Sequence, residues 1–348
     1  MRHVTFAIPG DLETPTGGYG YDRRIVTELR RLGWHVDIVG LGEGFPRPDA
    51  SQKAAAQDRL VAIPQTQPLV IDGLAYGVLP EAAAALRDRP VVALVHHPLA
   101  FETGLAADEV DRLRISERAA LAVARRVVTT SRTTAAILTD EFAVLPYRLD
   151  VVVPGTDRTP FAIGSDGAVV QLLAVGAVVA RKGFDLLVAA LAPLQSLPWR
   201  LVIAGDRSRD ADAVARLDAA IERHRLHDRI ESLGAVSSER LAALYARADL
   251  FVLASRYEGY GMAYAEAIAH GLPVIGTTGG AIPEVVPPSA GYLVSPDDAG
   301  ALSSALREII GDKDRRRAMS AGARAAAAAL PTWEESGARF AELLGRLT

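Results

Sequence analysis

Along the chain, short apolar and β-branched runs alternate with longer stretches in which apolar residues recur at helical spacing. The short runs predict strands over 3–9, 35–41, 69–72, 91–96, 126–130 and 150–153, with helices over 21–32, 107–125 and 133–142 among them. The rhythm breaks at the turn-rich stretch Pro154-Gly155-Thr156-Asp157-Arg158-Thr159-Pro160 and then restarts. Strands follow over 169–175, 200–204, 229–233, 250–253 and 273–275, with helices over 184–194, 211–226, 238–247 and 262–270. Unbroken apolar strands such as Leu201-Val202-Ile203-Ala204 suit a sheet covered by helices on both faces. Strand–helix–strand repetition implies right-handed parallel crossovers. The pattern therefore predicts an α/β protein of two Rossmann-like, doubly wound halves, residues 1–155 and 156–331, followed by a helical segment at 332–348. The alanines of 323–329 express helix propensity alone.

Composition narrows the classes. A length of 348 residues suits two domains of ~100–200 residues each, and a hydrophobic content of 49% excludes global disorder. There is no cysteine, which removes disulfides, thiolate zinc sites and a cysteine nucleophile. A net charge of -4 argues against nucleic acid as a partner. The apolar run after Met1-Arg2-His3 is too short for a secretory signal, and no stretch approaches the ~18–20 apolar residues of a membrane span. The expectation is a cytoplasmic protein.

Open doubly wound sheets bind ligands beyond the carboxyl ends of their strands, so the residues there are the candidates. The strongest constellation follows strand 250–253: Ser255-Arg256-Tyr257-Glu258-Gly259-Tyr260-Gly261-Met262-Ala263-Tyr264-Ala265-Glu266. Gly259 and Gly261 let the backbone turn tightly around Tyr260 and open a helix near Met262, whose unpaired N–H groups suit a phosphate. Glu258 precedes that helix and Glu266 lies about one turn inside it. By residue type alone, Glu258 could be a capping acid and Glu266 a solvated one, although the flanking Ala265 and Ala267-Ile268-Ala269 are a poor setting for an exposed helix.

Glu258 and Glu266 match the E-x7-E motif, and in this the sequence resembles the retaining family-4 glycosyltransferases, proteins of the two-domain GT-B fold. The resemblance continues through Gly176–Gly183, Ala204-Gly205-Asp206, Gly234-Ala235-Val236-Ser237, Asp249-Leu250-Phe251-Val252, Gly271-Leu272-Pro273-Val274-Ile275 and Gly279-Gly280-Ala281-Ile282-Pro283-Glu284. It covers most of the second half and is weaker in the first.

The resemblance implies two Rossmann-like domains facing across a cleft, a donor domain at 156–331, an acceptor-side domain at 1–155, and a last helix, 332–348, packed back on the latter. It implies retaining, metal-independent transfer of a hexose from a nucleotide-diphosphate sugar, with no further cofactor. The acceptor would be a small molecule, a glycan or a lipid-linked compound. Glu258 would lie beside the donor sugar, Glu266 on the ribose hydroxyls, and Gly234, Ala235 and Val236 at the base, with Asp206 nearby. Lys182 matches the phosphate-binding lysine, whose charge would offset that of the departing diphosphate. The position after Gly176, usually Arg in this family, is Ala177, and Arg181 or Arg207 would supply the missing charge. Gly17 and Gly18, in a glycine loop before helix 21–32, would approach the diphosphate.

His96 ends a strand, a place where histidines are more often structural. The resemblance instead assigns it near the donor sugar, with His97, Asp72 and Ser131 as acceptor-side candidates. Arg23, Arg24, Arg30 and Arg31 read as a solvated face, and relatives that touch anionic membranes through basic helices extend the expectation to peripheral contact at the inner membrane face.

Other patterns carry less. His224 and His227 lack further ligands, and Asp210-Ala211-Asp212 opens a polar helix, so no metal site is expected at either. A dehydrogenase lacks its strand–G-x-G-x-x-G–helix unit here. The rival readings are a nucleotide-sugar epimerase or a phosphorylase of the same architecture, and a sugar-nucleotide binding protein without catalysis.

Overall fold

In a computed structural model that describes residues 2–165 and 167–347, the strands form where the apolar runs lie. The chain divides into two units, Met1–Gly155 with Pro331–Thr348, and Thr156–Leu330. The first unit holds β1 (His3–Ile8), β2 (His35–Gly40), β3 (Leu69–Asp72), β4 (Val91–Val95), β5 (Arg126–Thr129) and β6 (Leu149–Val151), all parallel, in the order β2-β1-β3-β4-β5-β6. Central β3 and β4 are buried at every position, whereas edge strand β2 buries Val36 and exposes Ile38. That contrast is expected where helices cover both faces of the middle of a parallel sheet.

The second unit repeats the plan with β7 (Val170–Val175), β8 (Trp199–Ala204), β9 (Ile230–Gly234), β10 (Leu250–Val252), β11 (Val274–Thr277) and β12 (Gly291–Val294), in the order β12-β11-β10-β7-β8-β9. In each sheet the winding direction reverses once, between β1 and β3 and between β7 and β10. These are the switch points, where loops leave in opposite directions and open a crevice.

The helix Trp333–Gly345 belongs to the first unit and packs on the helix Gly17–Arg31. Thr332 and Glu335 form a capping box at its start. Phe340 lies 5.8 Å from Phe6, Trp333 lies 6.0 Å from Tyr21, and the Ser336 hydroxyl donates to the Val153 carbonyl at 2.8 Å. Gly337 lets the helices approach, because a Cβ there would drive into Glu28.

Some elements escape the sequence pattern. The helix Ala50–Ala62 buries only Ala56 and Leu60 and is specified by the capping box of Asp49 and Gln52, so its apolar period is too sparse to read. β12 is a four-residue edge strand with Tyr292 exposed, and the helix Ala299–Gly311 starts on the Asp298 cap.

In the helix Ala107–Val123, Glu117 is buried, and its Oε2 accepts the Leu99 N–H at 2.9 Å. Its Oε1 has no hydrogen-bond partner among the described residues. Burial pushes its pKa up to about 8, against the smaller opposing effect of the Leu99 bond. The native state therefore holds this proton between its ordinary value of 4.5 and about 8, while the unfolded state releases it. Its contribution to stability falls as pH rises through that window, by at most about 1.4 kcal/mol per pH unit. Urea melts from pH 5 to pH 8 should show Glu117→Gln losing less stability on this rise than the wild type. Identical pH slopes would contradict this account.

Candidate functional site

β7 and β10 are neighbours at the switch point of the second unit, and the loops that leave them build one charged cluster. After β7 the chain forms a 3-10 turn at Ala180–Lys182, fixed by the Asp210 carboxylate, which accepts the Ala180 N–H at 3.0 Å. Gly183 ends the turn with a φ of 62°, and a Cβ there would drive into the Ala254 carbonyl after β10. Glycine is therefore required for the turn to press on the next loop. The Arg256 N–H donates to the Arg181 carbonyl at 2.8 Å and ties the two loops together.

The cluster centres on Glu258. Its Oε1 accepts from Lys182 Nζ at 2.6 Å and from the Ser255 hydroxyl at 2.6 Å. Its Oε2 accepts from Arg181 Nη1 at 3.2 Å, and the same guanidinium nitrogen donates to the Tyr257 carbonyl at 2.7 Å. Burial by itself would raise the Glu258 pKa. The charges of Lys182 and Arg181, with the hydrogen bonds from Lys182 and Ser255, outweigh burial and hold it down at about 2. The Ala281 N–H donates to the Glu258 carbonyl at 2.9 Å, and Gly280 gives that carbonyl room.

Gly261, with a φ of 99°, opens the helix Met262–Ala269, and Tyr260 beside Gly259 is nearly buried. Glu266, half-buried on that helix, accepts from the Tyr245 hydroxyl at 3.0 Å. Burial raises its pKa, against the Tyr245 bond. Tyr245 is itself held by stacking on His270, ring centres 4.6 Å apart. The two glutamates thus differ in kind: Glu258 is neutralised by two cations, and Glu266 is oriented by a neutral phenol.

At the ends of β8 and β9, Asp206 accepts from the Ser208 N–H and hydroxyl, both at 2.8 Å, and these bonds lower its pKa. Gly234, with a φ of 72°, accepts from the Gly205 N–H at 2.9 Å, and Ala235 after it is exposed, with Val236 half-buried. Ala177 brings no charge. Of its two expected substitutes, Arg181 joins the Glu258 cluster. Arg207 is bound bidentately by Asp218, at 2.7 and 2.8 Å, and by Ser232 at 2.8 Å.

The first unit's switch point carries a different chemistry. Gly17 and Gly18 do not form a loop ahead of the helix: the helix starts at Gly17, because the Thr16 side chain caps it by accepting the Tyr19 N–H. Its first-turn amides, unpaired within the helix, come from these glycines. A Cβ on Gly18 would lie 3.1 Å from the His96 ring. His96 Nε2 lies 3.2 Å from Asp22 Oδ1 and 3.8 Å from Asp72 Oδ2, and Tyr21 meets the ring edge-on. Burial opposes charge on His96, yet Asp22 and then Asp72 raise its pKa. Burial and Asp22 push Asp72 up to about 7.

Asp22 was not among the residues the sequence singled out. The signal was available: 22, 25, 26 and 29 lie on one helical stripe, and an acid among Ile25, Val26 and Leu29 is buried only for a reason. The remaining candidates are placed elsewhere. His97 turns to Glu102 at 3.0 Å. Ser131 caps the helix Arg132–Asp140, accepting the Thr134 N–H at 3.0 Å. The four arginines of the first helix bind within their own unit: Arg23 to the Leu12 and Thr14 carbonyls, Arg24 over Trp333, Arg30 to the Val36 carbonyl, and Arg31 to Glu28. No described helix is long and apolar enough to cross a membrane.

Residues 156–326 match the family described as Glycosyl transferases group 1. The MMP alpha-(1->4)-mannosyltransferase of Mycolicibacterium hassiacum is 30% identical over 260 residues, which are 66% of this chain and 61% of that protein. The D-inositol 3-phosphate glycosyltransferase of Nocardia farcinica is 31% identical over 303 residues, 75% of this chain and 66% of that one. The chain thus spans less than two thirds of the length of these relatives. Among solved structures, sucrose-phosphate synthase from Thermosynechococcus elongatus matches 99% of both chains with a TM-score of 0.84 at 23% identity. Anabaena HepE, solved with UDP and glucose, matches 99% of this chain and 100% of its own with a TM-score of 0.80 at 19% identity. The shared fold is GT-B.

The charge pairing of Glu258 has a measurable consequence. A carboxyl held at about 2 contributes stability that is present above its ordinary 4.5 and is lost as pH falls toward 2. Lys182→Met removes one of its cations, and breaking a buried pair costs up to roughly 3–5 kcal/mol. Arg181 remains, so the expected loss at pH 7 is in the lower part of that range or below it. The penalty should shrink at pH 3, where the freed carboxyl is able to take a proton. Urea melts at both pH values check this, and an equal penalty at each would mean that Lys182 does not set the ionisation of Glu258.

Proposed function

The chain belongs to the glycosyl transferases group 1 family through residues 156–326, and from that premise we propose that it transfers a hexosyl group from a nucleotide-diphosphate sugar to an acceptor, with retention at the anomeric carbon and without a metal ion. The observation that carries this reading is the Lys182–Glu258–Arg181 cluster at the β7/β10 switch point, with Glu266 on the helix that follows. UDP and glucose in the HepE structure belong to that protein, and they support a nucleotide sugar as the donor class here.

The residues divide the work by their chemistry. Departure of a nucleotide diphosphate builds negative charge, which Lys182, Arg181 and the amides at Gly259–Met262 are suited to offset. The ionised Glu258 aligns both cations, and beside the sugar it favours the positive charge that develops at the anomeric carbon. Glu266, oriented by Tyr245, offers two acceptor oxygens to the two hydroxyls of a ribose. Asp206 and the Gly234–Val236 backbone serve the nucleotide. On the first unit His96, beside Asp22 and Asp72 and packed close to Gly18, serves the reacting sugar. The acceptor is a small molecule, a glycan or a lipid-linked compound, and the reaction runs in the cytoplasm.

The direct test is a thermal-shift screen against UDP, GDP, ADP and their sugars, then product analysis with the donor found. A ligand at ~100 times its dissociation constant adds about 2.7 kcal/mol to stability. Donor binding without transfer to any acceptor would overturn the assignment as a transferase. Transfer should persist in excess EDTA; a complete loss restored by magnesium or manganese would overturn metal independence.

The two glutamates should separate by role. Glu266→Gln removes a contact made in ground and transition states alike, so KM should rise more than kcat falls. Glu258→Gln should leave bare nucleoside affinity nearly unchanged and lower kcat. Nucleoside affinity and turnover of both variants, measured side by side, check this. The opposite pattern would invert the two roles.

A further inference from the structure

Away from both switch points, at the amino ends of the first sheet, two imidazoles and a carboxylate converge. His3 opens β1 and His35 opens β2, and the two are direct partners in the parallel register. Asp37 lies two residues beyond His35, on the same face of its strand. Its carboxylate receives both rings: His3 Nε2 at 2.7 Å from Oδ2, and His35 Nε2 at 3.1 Å from Oδ1. The rings stand nearly perpendicular, centres 4.6 Å apart, and the three ligand-type atoms lie within 4.8 Å of one another.

We propose that His3, His35 and Asp37 form a binding site for one divalent transition-metal ion of the zinc type, with water in the fourth position. Ligands at ~2.0–2.1 Å around a tetrahedral ion stand roughly 3.4 Å apart, so the His3–Asp37 pair, at 2.7 Å, needs to open by less than an ångström. The donor set of two neutral imidazoles and one carboxylate selects zinc, nickel or copper over magnesium or calcium. Paired strands fix the backbones, so little ordering remains for the ion to impose. The site also has outer support: the amide of Gln67, a buried side chain, lies 3.4 Å from Asp37 Oδ2 and orients the carboxylate. All three side chains remain 42 to 56% exposed, which leaves an ion access and room for its water.

A bound ion would bridge β1 to edge strand β2, since one ligand comes from the first and two from the second. The trio lies at the amino ends of strands whose carboxyl ends lead toward His96 and the glycine amides. The proposal is therefore independent of the glycosyl-transfer reading, and its role is structural.

The test uses the tag-free full chain, stripped with EDTA and dialysed. Calorimetry with zinc chloride should give one ion per chain, and zinc should raise the melting temperature where magnesium at equal concentration does not. Cobalt(II) should give the visible bands of a tetrahedral site. His35→Gln and Asp37→Asn should each abolish these signals, Gln67→Leu should weaken zinc roughly 10–100-fold, and His227→Gln should change nothing. Melting curves of the metal-free variants, matching the metal-free wild type, establish that each is folded. Absence of binding, zinc uptake unchanged in His35→Gln, or non-saturating binding of several ions would overturn the proposal.

Discussion

A buried carboxylate held between two cations is the interaction on which the second unit's site depends. Burial works against the charge of Glu258, and Lys182 and Arg181 outweigh it, while the carboxylate in turn offsets the repulsion between those two cations. The two hydrogen bonds to Oε1, from Lys182 and Ser255, leave little freedom in where that oxygen lies. One anion between two cations leaves a net positive charge. That residual charge is what the proposed diphosphate donor would meet, and Arg181 contributes to it by reaching the same carboxylate, where Ala177 carries no charge.

Close approach of three loops makes the cluster possible, and it rests on backbone rather than side-chain selection. Gly183 brings the turn after β7 against the loop after β10, and Gly280 brings the turn after β11 under the Glu258 carbonyl. Any Cβ at either place collides with a carbonyl oxygen, so these glycines are requirements of packing. Asp210 adds a constraint from a helix cap, holding Ala180 while it caps the helix Ala211–His224. An aspartate with a conventional helix-capping role thereby also fixes the residues that carry Lys182.

The two switch points share a topology and differ in charge. The second unit gathers cations around one acid; the first gathers two buried acids around one histidine. Asp72 near 7 and a histidine whose pKa is raised mean that the proton count of the first cluster is set jointly by its members. The same βα arrangement thus gathers two cations around an acid in one unit and two acids around a histidine in the other. The fold provides the crevice, and the residues decide its chemistry.

By itself the sequence determined the strand and helix alternation, because central strands of a covered parallel sheet must be apolar throughout and the crossovers must show helical period. It also singled out Glu258, Glu266 and Lys182 as candidates, since they sit in local patterns after strands. It did not determine the helix Ala50–Ala62, β12 or the true start of the first helix, where caps and edges replace apolar period as the signal. Nor did it reveal that Lys182 and Glu258, 76 residues apart, share one hydrogen bond, or that Asp22 meets His96 across 74. Those pairings follow from β10 lying against β7, and from β3 lying between β1 and β4. Strand order is settled by how all the helices and strands bury their faces together, and that balance leaves no mark on any local stretch of sequence.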